Sequence, residues 1–94
     1  MHFQDRKKLF NYISDKKVII WGARMTGIGA LRQLKKKNIE ILNFLDSDLS
    51  LVGRSVHGFQ VYHPSNLKKI LDSNTNVVIL VAVDLKEKEM LKRF

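Results

Sequence analysis

The chain of 94 residues contains no cysteine, a single proline and no long apolar run. Without cysteine it cannot form disulfides, thiolate metal sites or a cysteine nucleophile. Its longest apolar run is Val77–Val83, far short of the roughly 20 residues that cross a bilayer. No membrane span is therefore predicted. The N-terminus carries frequent charges and no apolar signal core, which predicts a cytoplasmic protein.

Acidic residues are scarce, with 9 Asp and Glu against 17 Lys and Arg, so the formal charge is +8. A charge of this sign attracts anions such as nucleotides, nucleic acids and acidic lipids. The basic residues are scattered over predicted helix surfaces and last turns, and no aromatic-interleaved basic motif or recognition helix accompanies them. Nucleic acid is thus not the expected partner. With 45% apolar residues, the chain predicts one globular domain spanning 1–94.

Apolar strands alternate with amphipathic helices along most of the chain. The patterns predict helices over 3–14, over 26–37 and from Pro64 to about residues 72–74, and strands over 18–21, 39–45, 59–62 and 77–83. Strands separated by helices form right-handed parallel crossovers. The fold class predicted is therefore α/β: a three-layer Rossmann-like domain with a parallel sheet of about four strands and helices on both faces. The strand at 59 is expected beside the second strand, followed by the first and then the last.

The C-terminal segment shows a pattern typical of a helix start, because Asp84 and Glu87 have the spacing of a capping box. Met90, Leu91 and Phe94 would share one face of that helix. A helix that reaches the last residue without a cap indicates a fragment of a longer enzyme, or a sheet completed by another domain or a second copy.

The segment from Lys17 to Gly27 reads as a strand, a glycine turn and a helix, an arrangement that places a phosphate at a helix N-terminus. The candidate binding residues are Gly22, Ala23, Arg24, Met25, Thr26 and Gly27. Arg24 occupies the place of the second glycine of a dinucleotide fingerprint. Its guanidinium would either grip a phosphate through two hydrogen bonds or stand as an exposed loop arginine. Small residues at Gly27, Gly29 and Ala30 predict close packing of this helix on the sheet.

Asp46 follows Gly22 by 24 residues and ends the second apolar run, near the position of a ribose-binding acid in dinucleotide folds. Its alternative is a turn aspartate that bonds its own backbone. Asp48 is interpreted as a loop residue rather than a metal ligand, since no third ligand lies nearby in the sequence. His57 and His63 are interpreted as turn or surface histidines and Trp21 as a core residue. We assign no catalytic residue and no metal ligand.

The segments VIIWGARMTG, ILNFLDSD, VGRSVHGFQVYHPSNL and NVVILVAV together resemble a nucleotide-binding domain known from four kinds of protein. These are the front of bacterial sugar O-acetyltransferases, the nucleotide-sugar epimerase/dehydratases of polysaccharide biosynthesis, redox-sensing repressors, and the C-terminal part of sugar methyltransferases. The matching residues are Gly22 and Gly27 in the turn, Phe44, Asp46 and Asp48 at the strand end, and Gly53, Arg54, Gly58 and Val61 in the loop.

The resemblance implies a nucleotide or nucleotide-sugar bound over the carboxyl end of the first strand, in a domain of a bacterial surface-sugar enzyme that is not catalytic by itself. NAD(H) and a UDP-sugar are the cofactors it suggests. Two other functions stay open: an NAD(H)-sensing regulatory module, and a basic interaction domain whose nucleotide site is vestigial. Because one fold serves many functions, the resemblance does not choose among them.

Overall fold

A computed structural model of the chain describes residues 6–82 and 90–93. Within these ranges the chain forms helices α1 (Arg6–Ile13), α2 (Met25–Lys36) and α3 (Leu67–Asp72), the last preceded by a 3-10 turn at Pro64–Asn66. The strands are β1 (Lys17–Trp21), β2 (Glu40–Leu45), β3 (Ser55–Val56), β4 (Phe59–Tyr62), β5 (Val77–Val81) and β6 (Met90–Arg93). Among the helices of the described residues, none is long and apolar enough to cross a membrane.

The strands form one sheet in the order β3-β4-β2-β1-β5-β6. Its central four strands are parallel: β1 lies between β2 and β5, and β4 pairs with β2. The predicted fold class, the number of parallel strands and their order are thereby confirmed. Since parallel strands point the same way, the ends of β1, β2 and β4 meet at one edge of the sheet, which we call the carboxyl edge.

Helices cover both faces of the sheet, which gives the three layers that were predicted. On one face, Leu9 and Ile13 of α1 and Leu31 and Leu34 of α2 belong to the main core cluster together with Val18, Ile20, Phe44, Val78 and Leu80 of the strands. On the other face, α3 contributes Leu67, Ile70 and Leu71 over Ile19, Leu45, Val77 and Ile79. Because β1 and β5 are buried on both sides, their sequences after Lys17 are apolar throughout rather than alternating.

Two features differ from the sequence prediction. Residues Met90–Arg93 form a strand antiparallel to β5, so the helix predicted there is wrong. The predicted cap at Asp84 and Glu87 lies outside the described residues, and so do residues 3–5 of the first predicted helix. The hypothesis that the chain is a fragment of a longer enzyme rested on that final helix. It stays a prediction, but the helix no longer supports it. The second difference is β3, which pairs with β4 through a two-residue turn at His57 and Gly58 inside the predicted loop.

Candidate functional site: the carboxyl edge of the sheet

The glycine turn begins where β1 ends, between β2 and β5. The N–H of Gly22 donates to the carbonyl of Leu45 at 2.7 Å, and the N–H of Ala82 donates to the carbonyl of Trp21 at 2.8 Å. Gly22 then turns the chain with a φ of 118°, a conformation that side chains other than hydrogen rarely permit. Glycine at position 22 therefore lets the chain leave the sheet abruptly and enter α2.

Gly27 brings the first turn of α2 directly against that glycine turn. A Cβ atom placed on Gly27 would lie 1.7 Å from the carbonyl oxygen of Gly22 and 2.8 Å from its carbonyl carbon. Two residues further along α2, a Cβ atom placed on Gly29 would have no atom within 4 Å. The close approach predicted for the small residues of this helix is thus confirmed at Gly27 and wrong at Gly29.

The N-terminus of α2 offers backbone donors at the carboxyl edge. Ile28 donates its N–H to the carbonyl of Arg24, whereas the N–H groups of Met25, Thr26 and Gly27 make no hydrogen bond in the described part of the chain. Arg24 is the N-cap and supplies no side-chain cap. Free N–H groups and the positive end of the helix dipole both favour an anion at such a terminus.

Asp46 reaches the glycine turn from the end of β2. Its Oδ2 accepts the N–H of Ala23 at 2.9 Å and its Oδ1 accepts the N–H of Asp48 at 2.9 Å. Asp46 thus bonds the backbone of its own loop, as the turn alternative predicted, and also bonds the glycine turn. The ribose-binding role stays a prediction. Each carboxylate oxygen has a second lone pair, so Asp46 retains the capacity to accept from a further donor.

Arg24 pairs across the edge with Asp48, through its Nη2 and the Oδ2 of the carboxylate. The side chain of Arg24 is nevertheless 69% exposed. Asp48 also accepts from the hydroxyl of Ser50 at 2.7 Å and from its N–H at 2.9 Å. The Ser50 bonds first, and Arg24 second, lower the pKa of Asp48 to about 2, so this carboxylate is charged at neutral pH.

Other sequence candidates lie away from this edge or serve the fold. His57 is exposed in the β3–β4 turn, and His63 caps the 3-10 turn by accepting the N–H of Ser65 at 3.1 Å. Trp21 is half-buried and packs against the α3-side core. Sequence reasoning missed Ser50, whose contact with Asp48 follows from the tight loop after β2. Two grooves among the described residues are lined by other residues.

The fold and the strand, glycine turn and helix define this chain as a Rossmann-like three-layer α/β domain. The family model described as C2185-like, N-terminal, matches residues 14–87, and the chain belongs to that family. A search of curated proteins finds no match. Among solved structures, the UDP-D-quinovosamine 4-dehydrogenase of Vibrio fischeri superposes with a TM-score of 0.61 at 18% identity, covering 84% of this chain and 93% of that one. At that identity the likeness supports the fold.

Proposed function

We propose that this domain binds a nucleotide or nucleotide-sugar at the carboxyl edge and serves as the binding part of a bacterial enzyme that modifies surface sugars. The observation that carries the proposal is the approach of Gly27 to the carbonyl of Gly22, which leaves the N–H groups of Met25, Thr26 and Gly27 at the mouth of the turn. A phosphate oxygen would accept from these groups.

Two side chains fit the remainder of such a ligand. Arg24 lies beside the helix N-terminus, where its guanidinium suits a phosphate once the exposed contact with Asp48 is exchanged. Asp46 would accept a ribose hydroxyl through its free lone pairs while it holds Ala23. The structural neighbour is named for a UDP-sugar, which agrees with this ligand class without establishing it.

Isothermal titration of the full chain with UDP, a UDP-sugar, NADH and inorganic phosphate tests the proposal. We expect binding of at least one nucleotide, weakened about tenfold by Arg24→Ala, since tenfold corresponds to about 1.4 kcal/mol and a charge-assisted hydrogen bond contributes about that much. Arg32→Ala is the matched control because Arg32 is likewise an exposed arginine but lies inside α2, away from its N-terminus. The proposal fails if no nucleotide binds the wild-type chain.

A titration with the same ligands, measured by tryptophan fluorescence, distinguishes the NAD(H)-sensing alternative from the sugar-enzyme proposal. Trp21 directly precedes Gly22 and is half-buried, so bound NADH would lie near the indole and receive its excitation energy. Energy transfer together with preference for NADH over UDP would favour the sensor. Preference for UDP or a UDP-sugar would favour the sugar enzyme.

A further inference from the structure

A groove of about 370 Å³ lies on the α3 face of the sheet, beside β2 and β4. Its lining comprises Leu42, Asn43, Tyr62, Asn66, Lys69, Ile70, Ser73 and Asn74. Leu42 and Ile70 are its apolar members, and the others carry hydrogen-bonding groups. The volume lies at the lower end of the roughly 300–1,000 Å³ typical of small-molecule pockets.

Asn43 has an unusual position for an amide, because it is 4% exposed in the interior of a parallel strand. The pairing of β1 with β2 shifts here: Val18 pairs with Ile41 and Ile19 with Asn43, so Leu42 is an extra residue in β2. Such a bulge disrupts the ladder locally. The Nδ2 of Asn43 donates to the carbonyl of Phe44 at 2.8 Å, so the amide nitrogen of this buried side chain has a hydrogen-bond partner.

The acceptor of the same amide has a different environment. The Oδ1 of Asn43 accepts no hydrogen bond from the described residues. No side-chain N or O atom sealed from solvent in that part of the chain lacks a partner, so this oxygen must reach solvent. Asn43 lines the groove, so a ligand there is placed to donate to this oxygen, and the burial around it raises the cost of leaving it unpaired.

Neighbouring groups in the groove add further acceptors. Asn74 donates its Nδ2 to the carbonyl of Ile70 at 2.9 Å, and Ser73 donates its hydroxyl to the carbonyl of Lys69 at 3.3 Å. The second N–H of Asn74 stays available as a donor, and the oxygens of both side chains stay available as acceptors. Because Lys69 also lines the groove and can only donate, a ligand that pairs with this lining must offer both donors and acceptors. Tyr62, which is 40% exposed, adds an aromatic ring and a hydroxyl.

We propose that this groove is a binding site for a hydroxyl-rich ring of the size of one monosaccharide. Sugar hydroxyls would donate to the oxygens of Asn43, Ser73 and Asn74, while the C–H face of the ring would lie against Tyr62, whose side chain combines an apolar body with a polar end. The site is separate from the glycine turn, because no residue of the turn lines it. It therefore does not depend on nucleotide binding.

The test is an NMR titration of the ¹⁵N-labelled full chain with glucose and N-acetylglucosamine, and with cyclohexanol as a ring of equal size bearing one hydroxyl. We expect saturable shifts of the side-chain amides of Asn43 and Asn74 with at least one sugar, and none with cyclohexanol at equal concentration. Tyr62→Ala and Asn74→Ala should each weaken the affinity for the sugar about tenfold. Gln60→Ala is the control, since Gln60 lies on β4 outside the groove.

Three results would overturn the site: no saturable shift with either sugar, equal binding by cyclohexanol, or unchanged affinity in both groove variants. Because Tyr62 and Asn74 are not in the core clusters, their variants should fold, and the amide spectrum checks this directly. A UDP titration of the same sample monitors Ala23 to Gly27 separately. Shifts at the turn without shifts in the groove would contradict this inference alone, and the reverse would contradict the proposed nucleotide site alone.

Discussion

Gly27 and Gly22 are in contact through backbone atoms: the hydrogen of Gly27 occupies the direction in which a Cβ would come within 1.7 Å of the Gly22 carbonyl oxygen. Because the atoms in contact belong to the backbone, no flexible side chain can move to make room for a Cβ on Gly27. The residue at position 27 therefore sets the distance between α2 and the end of β1. That distance also sets where the free N–H groups of the helix lie.

Gly27→Ala should destabilise the fold, because the added methyl must push α2 away from the glycine turn. Overpacking of this kind costs about 1–3 kcal/mol and sometimes more. Gly29→Ala is the matched control in the same helix: its Cβ meets open space, so the higher helix propensity of alanine should stabilise by up to about 1 kcal/mol. Urea denaturation measures both, and similar effects of the two variants would contradict the argument.

Asp46→Ala should loosen the glycine turn, because the N–H groups of Ala23 and Asp48 lose their acceptor. We expect a loss of about 1–3 kcal/mol in unfolding free energy, the range for stranding buried donors. Hydrogen exchange of the Ala23 amide should accelerate more than that of Leu80, which lies in the β5 ladder. Unchanged exchange at Ala23 would show that Asp46 does not hold the turn.

Several parts of this architecture were accessible from local sequence. The valine-rich run over 77–83 predicted a buried strand, and the structure has one at Val77–Val81. Gly22 and Gly27 likewise identified the turn. In each case the signal lies within a few neighbouring residues.

The features that were missed depend on distant partners or on geometry within the helix. Met90–Arg93 pairs with the open edge of β5, and nothing in the local charge pattern shows that edge. Arg24 and Asp48 meet although 24 residues separate them. Gly29 was misplaced because two helical positions differ by about 200° around the axis, so a residue two after Gly27 faces away from the sheet.

The turn of the β3–β4 hairpin offers a test of backbone strain. His57 and Gly58 have φ values of 49° and 86°, as in the two-residue turns in which Asn-Gly is preferred. His57→Asn should therefore stabilise the chain slightly, and Gly58→Ala should destabilise it by about 1–2 kcal/mol, the cost of a left-handed residue with a Cβ. Thermal denaturation of both variants decides this, and a neutral Gly58→Ala would contradict the turn geometry.

Ionisation of Asp48 makes the stability of the fold depend on pH in the acid range. Its pKa falls from 3.8 to about 2 in the folded chain, chiefly through the Ser50 hydroxyl and N–H and then through Arg24. The unfolded chain therefore takes up this proton first as the pH falls. The stabilisation from ionised Asp48 is present in full above about pH 4 and disappears as the pH approaches 2.

Replacing Asp48 by Asn should consequently lower stability near neutral pH, and the difference from wild type should narrow between about pH 4 and 2, the window set by the two pKa values. A ¹³C-carboxyl NMR titration reports the pKa directly. Ser50→Ala and Arg24→Ala should each raise the pKa, because each variant removes a contact that lowers it. Ser47→Ala is the control, since the neighbouring Ser47 is exposed and donates no bond to Asp48. An unchanged pKa in both variants would show that neither Ser50 nor Arg24 holds the carboxylate charged.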